Sequence, residues 1–134
     1  MKLIIIIGLP GSGKTTYFHE KLKPLGFQFF DDFVSSMCNG TMIRAIKDGT
    51  TDICIADPHL CNYETFLKVM NSIEVYIDKS NISIILFEND KDKCLLNASK
   101  RFNKSVSRTI EFNSRIYDLN NYNGYDCKIE KIIT

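Results

Sequence analysis

Near its amino end the chain passes from an apolar run, Leu3–Ile7, straight into Gly8-Leu9-Pro10-Gly11-Ser12-Gly13-Lys14-Thr15. A continuous β-branched run of this kind predicts a strand covered on both faces. The residues after it match G-x-x-x-x-G-K-[ST] in full, and the stretch from Lys14 onward reads as a helix ended near Pro24 and Gly26. Each residue type answers a physical need. Gly8, Gly11 and Gly13 let the backbone curl around oxygen atoms with its N–H groups turned inward. The opening helix adds its positive dipole end. Lys14 supplies a mobile cation for terminal phosphates, and the Thr15 hydroxyl suits Mg²⁺. Gly8, Leu9, Pro10, Gly11, Ser12, Gly13, Lys14, Thr15 and Thr16 are therefore expected to hold a nucleoside triphosphate. Thr16 is read there as a helix residue rather than a second metal ligand.

The rest of the chain alternates strand and helix patterns. Phe27–Phe30, Ile53–Ala56, Ile82–Phe87 and Asp126–Ile133 read as strands. Helices are expected over Lys14–Lys23, Ser35–Lys47, Tyr63–Ile77 and Val106–Leu119, and over a polar stretch with Cys94, Leu95 and Ala98 capped by Asn89 or Asp90. This alternation implies βαβ units, hence an α/β fold with a mainly parallel sheet and helices on both faces. Ligands of such sheets bind beyond the carboxyl ends of the strands, where the candidate residues fall. A length of 134 residues, with no linker or internal repeat, predicts one domain over 1–134.

Composition narrows the function classes. A net charge of +1 excludes a protein held on nucleic acid by bulk charge and leaves only a local basic patch. An apolar fraction of 44% with 25% charged residues excludes a disordered tail, a collagen and a membrane protein. The 5 cysteines lack any C-x-x-C pair, so they are expected to be reduced and mostly buried, not a disulfide or zinc framework. Leu3–Ile7 is too short for a signal peptide core or a membrane span, which makes the cytoplasm the expected compartment, with no membrane partner. Abundant Ile, Lys and Asn has the flavour of a viral, phage or low-GC bacterial source, so the cytoplasm of an infected host is one such setting.

Acidic residues follow two strands. Asp57 ends the apolar run Ile53–Ala56 in the manner of a Walker B carboxylate, which reaches Mg²⁺ or its water shell. Asp31 follows Phe27–Phe30 and is placed to accept a proton from an attacking hydroxyl, with Asp32 as its competitor. Lys100, Arg101, Lys104 and Arg108 cluster, and on a helix positions 101, 104 and 108 share a face. Such a group neutralises charge on a transferred phosphoryl group and closes over a nucleotide. Of the two histidines, His19 reads as a packed or exposed helix residue, and His59 stands at a strand end where an acceptor pocket would lie.

Taken in order, Gly8–Thr15, Phe30-Asp31-Asp32-Phe33, the Ile-Ala-Asp57 strand end and Asn97-Ala98-Ser99-Lys100-Arg101 resemble the kinase domain of bacteriophage polynucleotide kinase and related P-loop kinases, zeta-toxin-like and nucleotide kinases among them. The resemblance runs from Met1 to Tyr117. It implies a three-layer α/β/α P-loop NTPase with a five-stranded sheet of order 2-3-1-4-5 and an arginine-bearing lid around residues 90–108. It implies further that Lys14 and Thr15 hold ATP and Mg²⁺ and that Asp31 is the general base. Asp57 then sits near the acceptor's phosphate or the metal shell and Arg101 is the lid arginine, while Lys104 and Arg108 are candidate acceptor-binding residues by their place in the basic cluster. Where the polynucleotide kinase pattern has an arginine three residues after the base, this chain has Val34, and it has no phosphatase domain. Three functions follow: ATP-dependent phosphoryl transfer to a hydroxyl such as a polynucleotide 5′-hydroxyl; a small-molecule, nucleotide or toxin-like kinase; and a non-transferring, ATP-binding regulatory module.

Overall fold

The computed structural model describes residues 1–34, 39–100 and 104–133. Its centre is a five-stranded sheet of β1 (Leu3–Ile7), β2 (Gln28–Asp31), β3 (Ile53–Ala56), β4 (Ile82–Phe87) and β5 (Asp126–Glu130). The strands run parallel in the order β2-β3-β1-β4-β5. β1 is central because it can be: Ile5, Ile6 and Ile7 are wholly buried, and Leu3 lies beside both Ile53 and Ile82. Burying each such side chain contributes about 1.5–3 kcal/mol, which offsets the cost of ordering the backbone around it. Helices cover both faces, so the expected three-layer architecture and strand order are those observed.

Element boundaries follow local chemistry. α1 (Lys14–Tyr17) widens into a π-turn over Phe18–Leu22 and then tightens into a short 3-10 turn over Lys23–Leu25, ended by Gly26 with φ 90°. The span matches the expected helix, but its winding is irregular. α2 (Asn39–Asp48) and α3 (Tyr63–Ile73) flank β3. The side chain of Asn62 caps α3, accepting from the N–H groups of Glu64 and Thr65. α3 stops four residues short of the expected Ile77, which is buried all the same.

Asp90, not Asn89, caps α4 (Lys91–Ser99) by accepting from Lys93 N–H at 3.1 Å. Asn89 instead closes the far end of α5 (Lys104–Ile116), donating to the carbonyls of Ser114 and Tyr117 at 2.8 and 3.0 Å. β5 ends at Glu130, three residues before the expected Ile133, because the chain there leaves the sheet and turns over the phosphate loop. Cys54, Cys61 and Cys94 are buried free thiols, and Cys127 is a half-buried one. No helix among the described residues is long and apolar enough to cross a membrane.

Candidate functional site

The carboxyl ends of β1, β2 and β3 open onto a cleft of about 280 Å³. Its floor is the phosphate loop, represented by Pro10, Gly11, Gly13, Lys14, Thr15 and Thr16. Asp31, Asp32 and Pro58 form one wall, and Val106 and Thr109 of α5 form another. The fold thus brings together the loop and the Asp31 region, which stand well apart in sequence. Gly8, Leu9 and Ser12 complete the loop beneath this surface, with Leu9 and Ser12 fully buried.

The loop has the shape its glycines permit. Gly11 and Gly13 have φ of 82° and 104°, a region that side-chain-bearing residues rarely enter. A Cβ on Gly11 would stand 2.6 Å from the Cys94 carbonyl oxygen, and one on Gly13 would stand 2.7 Å from Ile133 Cβ. Lys14 folds its Nζ back onto the loop, donating to the Gly8 and Leu9 carbonyls, both at 2.9 Å. Burial lowers its pKa, against the opposing pull of nearby groups that include Asp31 and Asp32. A polyphosphate here would give this dehydrated cation an anionic partner.

Asp31 is the last residue of β2 and exposes its carboxyl to the cleft. Loss of hydration and the adjacent Asp32 charge raise its pKa; the Asp32 N–H, which donates to Asp31 Oδ1 at 2.9 Å, and the Lys14 ammonium partly offset this. Asp32 itself has φ 49°, the positive φ found among the described residues outside glycine, and its N–H also reaches the Ala56 carbonyl at 3.1 Å. Backbone held in that region persists where surrounding bonds enforce it.

Asp57 occupies a different position from the cleft wall. It is fully buried, with Oδ2 accepting from Val34 N–H at 2.9 Å and Oδ1 accepting from His59 N–H at 2.8 Å. The His59 ring Nδ1 also lies 2.7 Å from Oδ1. Asp57 thus ties the end of β3 to the segment after β2 and holds the imidazole of His59, which is 55% exposed. Arg108 is exposed on α5 and does not line the cleft, although Val106 and Thr109 beside it do. Lys104 opens α5. Arg101 and the Lys104 side chain lie outside the described residues.

Sequence reasoning gave no role to three contributors to this site. Asn97 of α4 donates to the carbonyls of Gly11 at 2.9 Å and Ile133 at 2.8 Å. Ile133 N–H donates to the Ser12 carbonyl at 3.0 Å. Tyr117 donates its hydroxyl to the Phe87 carbonyl at 2.6 Å and approaches that of Ile7 at 3.4 Å, just below the loop. Asn97 fell within the segment that carries the resemblance, but nothing local marks an amide that will reach across the fold.

No family model matches the chain. Among solved structures, a gluconokinase from Sinorhizobium meliloti aligns with a TM-score of 0.67 at 10% identity, covering 99% of this chain and 83% of that one. A shikimate kinase from Acinetobacter baumannii, in complex with shikimate, aligns at 0.60 with 12% identity, covering 100% and 84%. At such identities the likeness is one of fold, and the fold is that of P-loop kinases. In sequence, the uncharacterized protein R277 of Acanthamoeba polyphaga mimivirus is 36% identical over 134 residues, 98% of this chain and 96% of its own length. The chain is a member of the same protein family as mimivirus R277, built on a P-loop kinase fold.

Proposed function

We propose that this protein transfers the terminal phosphoryl group of ATP to a hydroxyl group of a small molecule. The observation that carries this reading is the shared cleft: the Lys14 loop and the Asp31 carboxylate face the same space. The loop fits the nucleotide, because the positive-φ glycines and the crowding at their absent Cβ atoms leave a backbone cradle free of side chains. Lys14 would leave the Gly8 and Leu9 carbonyls for the β- and γ-phosphates. Thr15, exposed in the cleft, would hold Mg²⁺, which when bound offsets charge on the β- and γ-oxygens.

In the transfer, the acceptor oxygen forms a bond to the γ-phosphorus while the bond from that phosphorus to the β–γ bridging oxygen breaks. The acceptor's proton passes to Asp31, and ADP leaves with the bridging oxygen. Asp31 suits the role because its raised pKa makes it a stronger base than an ordinary aspartate. Arg101, Lys104 and Arg108 are assigned to a lid over residues 90–108, with Arg101 neutralising charge on the phosphoryl group in flight. Asp57 serves the acceptor side through the His59 ring and Val34 backbone that it holds.

A small acceptor is favoured over a polynucleotide by the cleft's charge. Lys14 is the one cation among its described lining residues, set against the carboxylates of Asp31 and Asp32. Val34 stands where an acceptor-phosphate clamp would be needed. The gluconokinase and shikimate kinase folds belong to proteins named for small hydroxylated acceptors, which supports the same choice. The mimivirus relative supports a setting inside an infected host cell. The test is transfer of labelled γ-phosphate from ATP to a panel of polyols, nucleosides, nucleoside monophosphates and 5′-hydroxyl oligonucleotides. A labelled small product is expected. Label appearing in oligonucleotides alone would overturn the acceptor class, and hydrolysis with no labelled product would support a regulatory module instead.

A further inference from the structure

We propose that Asn97 is a positioning residue for the phosphate loop, and that through it nucleotide binding is coupled to the docking of residues 131–133 on that loop. This rests on the reading that the loop holds a nucleoside triphosphate. The need for such a residue comes from the glycines. Gly11 and Gly13 allow the loop to curl, but the same freedom leaves the direction of the neighbouring peptide groups unset. In a trans peptide the C=O and N–H point in opposite directions, so fixing one carbonyl outward fixes the next N–H the other way.

The loop's carbonyls are held from outside at two successive residues. Asn97 Nδ2 holds the Gly11 carbonyl at 2.9 Å, which turns Ser12 N–H back onto the Leu9 carbonyl at 3.1 Å. Ile133 N–H holds the Ser12 carbonyl at 3.0 Å, which turns Gly13 N–H away from residues 131–133. The two holds are joined, because the second Asn97 contact is the Ile133 carbonyl at 2.8 Å. Both partners of the amide nitrogen are carbonyl oxygens, so only its NH₂ group can face them. The Ile133 side chain closes the junction by packing where a Cβ on Gly13 would sit. One amide thus links α4, the phosphate loop and the segment after β5. A ligand that requires the loop in this shape must favour the docked segment, and the docked segment must favour the ligand to the same degree.

The full chain is titrated with ATP and Mg²⁺ by calorimetry, as the wild type and as Asn97→Ala. Loss of both Asn97 hydrogen bonds frees the loop to leave its binding shape and predicts roughly tenfold weaker nucleotide binding, about 1.4 kcal/mol. With nucleotide saturating, kcat and the acceptor KM are expected to stay within about twofold, since a group that only shapes the nucleotide site changes uniform binding. Equal nucleotide affinity in wild type and variant overturns the positioning role, as does a variant in which kcat and acceptor KM deteriorate together. Absence of binding by the wild type would strike the nucleotide reading itself. A second measurement needs no variant. Saturating ATP and Mg²⁺ is expected to slow hydrogen exchange at Ile133 N–H by about fivefold more than at Gly49 N–H, which lies with Met1 and Asn81 at the amino ends of the strands. Equal slowing of the two overturns the coupling.

Discussion

Asp31 carries opposed demands on one side chain. Its folded-state pKa is raised, so the folded protein binds the proton more tightly than the unfolded chain does. The ionised carboxylate therefore costs stability above the folded pKa, and the cost disappears below the ordinary Asp value of about 3.9, where both states are protonated. Asp31→Asn keeps an oxygen for the Asp32 N–H while removing that charge. The variant is expected to melt at a higher temperature than wild type at pH 7, with the difference vanishing as the pH falls below the carboxylate range. Phosphoryl transfer should drop by about 10²–10⁴-fold, the usual contribution of a positioned base, with ATP affinity nearly unchanged. In the wild type the acid limb of kcat/KM should lie above the usual aspartate pKa, since the base acts ionised. Asp31 and the loop residues were legible in the sequence because a strand end and a glycine pattern fix where such groups must stand. Asp57 was legible as a strand-end carboxylate, but its burial against Val34 and His59 depends on how two separate segments pack.

At the scale of elements, the phosphate loop is a turn held between a strand and packed neighbours. Gly13→Ala combines a φ of 104° with a Cβ placed 2.7 Å from Ile133 Cβ. It is expected to weaken nucleotide binding and to loosen residues 131–133 together, read by calorimetry and by exchange at Ile133 N–H. Tyr117 fastens the segment after α5 to the ends of β4 and β1 through the Phe87 and Ile7 carbonyls. Tyr117→Phe should cost about 1–3 kcal/mol in urea denaturation, the usual range for a buried hydrogen bond whose acceptor is left behind. Periodicity located the cores of β1, β3 and β4, because apolar runs buried on both faces have few alternatives, whereas the edge strands β2 and β5 bury few of their side chains. It misplaced several ends, such as Ile77 for Ile73 in α3 and Ile133 for Glu130 in β5. An apolar residue beyond an element's last hydrogen bond still packs, so burial pattern alone does not reveal where the ladder stops.

Across the whole molecule, strand order β2-β3-β1-β4-β5 brings the loop after β1 beside the ends of β3 and β2 on one side and of β4 on the other. That order came from the family resemblance; alternation of strands and helices by itself implied only a parallel sheet. A net charge of +1 and a cleft whose described lining residues are more acidic than basic predict weak salt dependence. Transfer to a small acceptor should change less than about threefold between about 50 and about 200 mM salt, whereas an acceptor gripped through many phosphates would lose about 10³–10⁵-fold in affinity. Phosphoryl transfer depends first on the loop's hold on a triphosphate, and calorimetry with ATP and Mg²⁺ on wild type and Lys14→Met tests that hold directly. Saturable binding to the wild type is predicted, at least about 100-fold weaker in the variant, because charge-assisted contacts to the phosphates contribute about 1.5–3 kcal/mol each. No heat from folded wild-type protein, or equal affinity in the two, would contradict it.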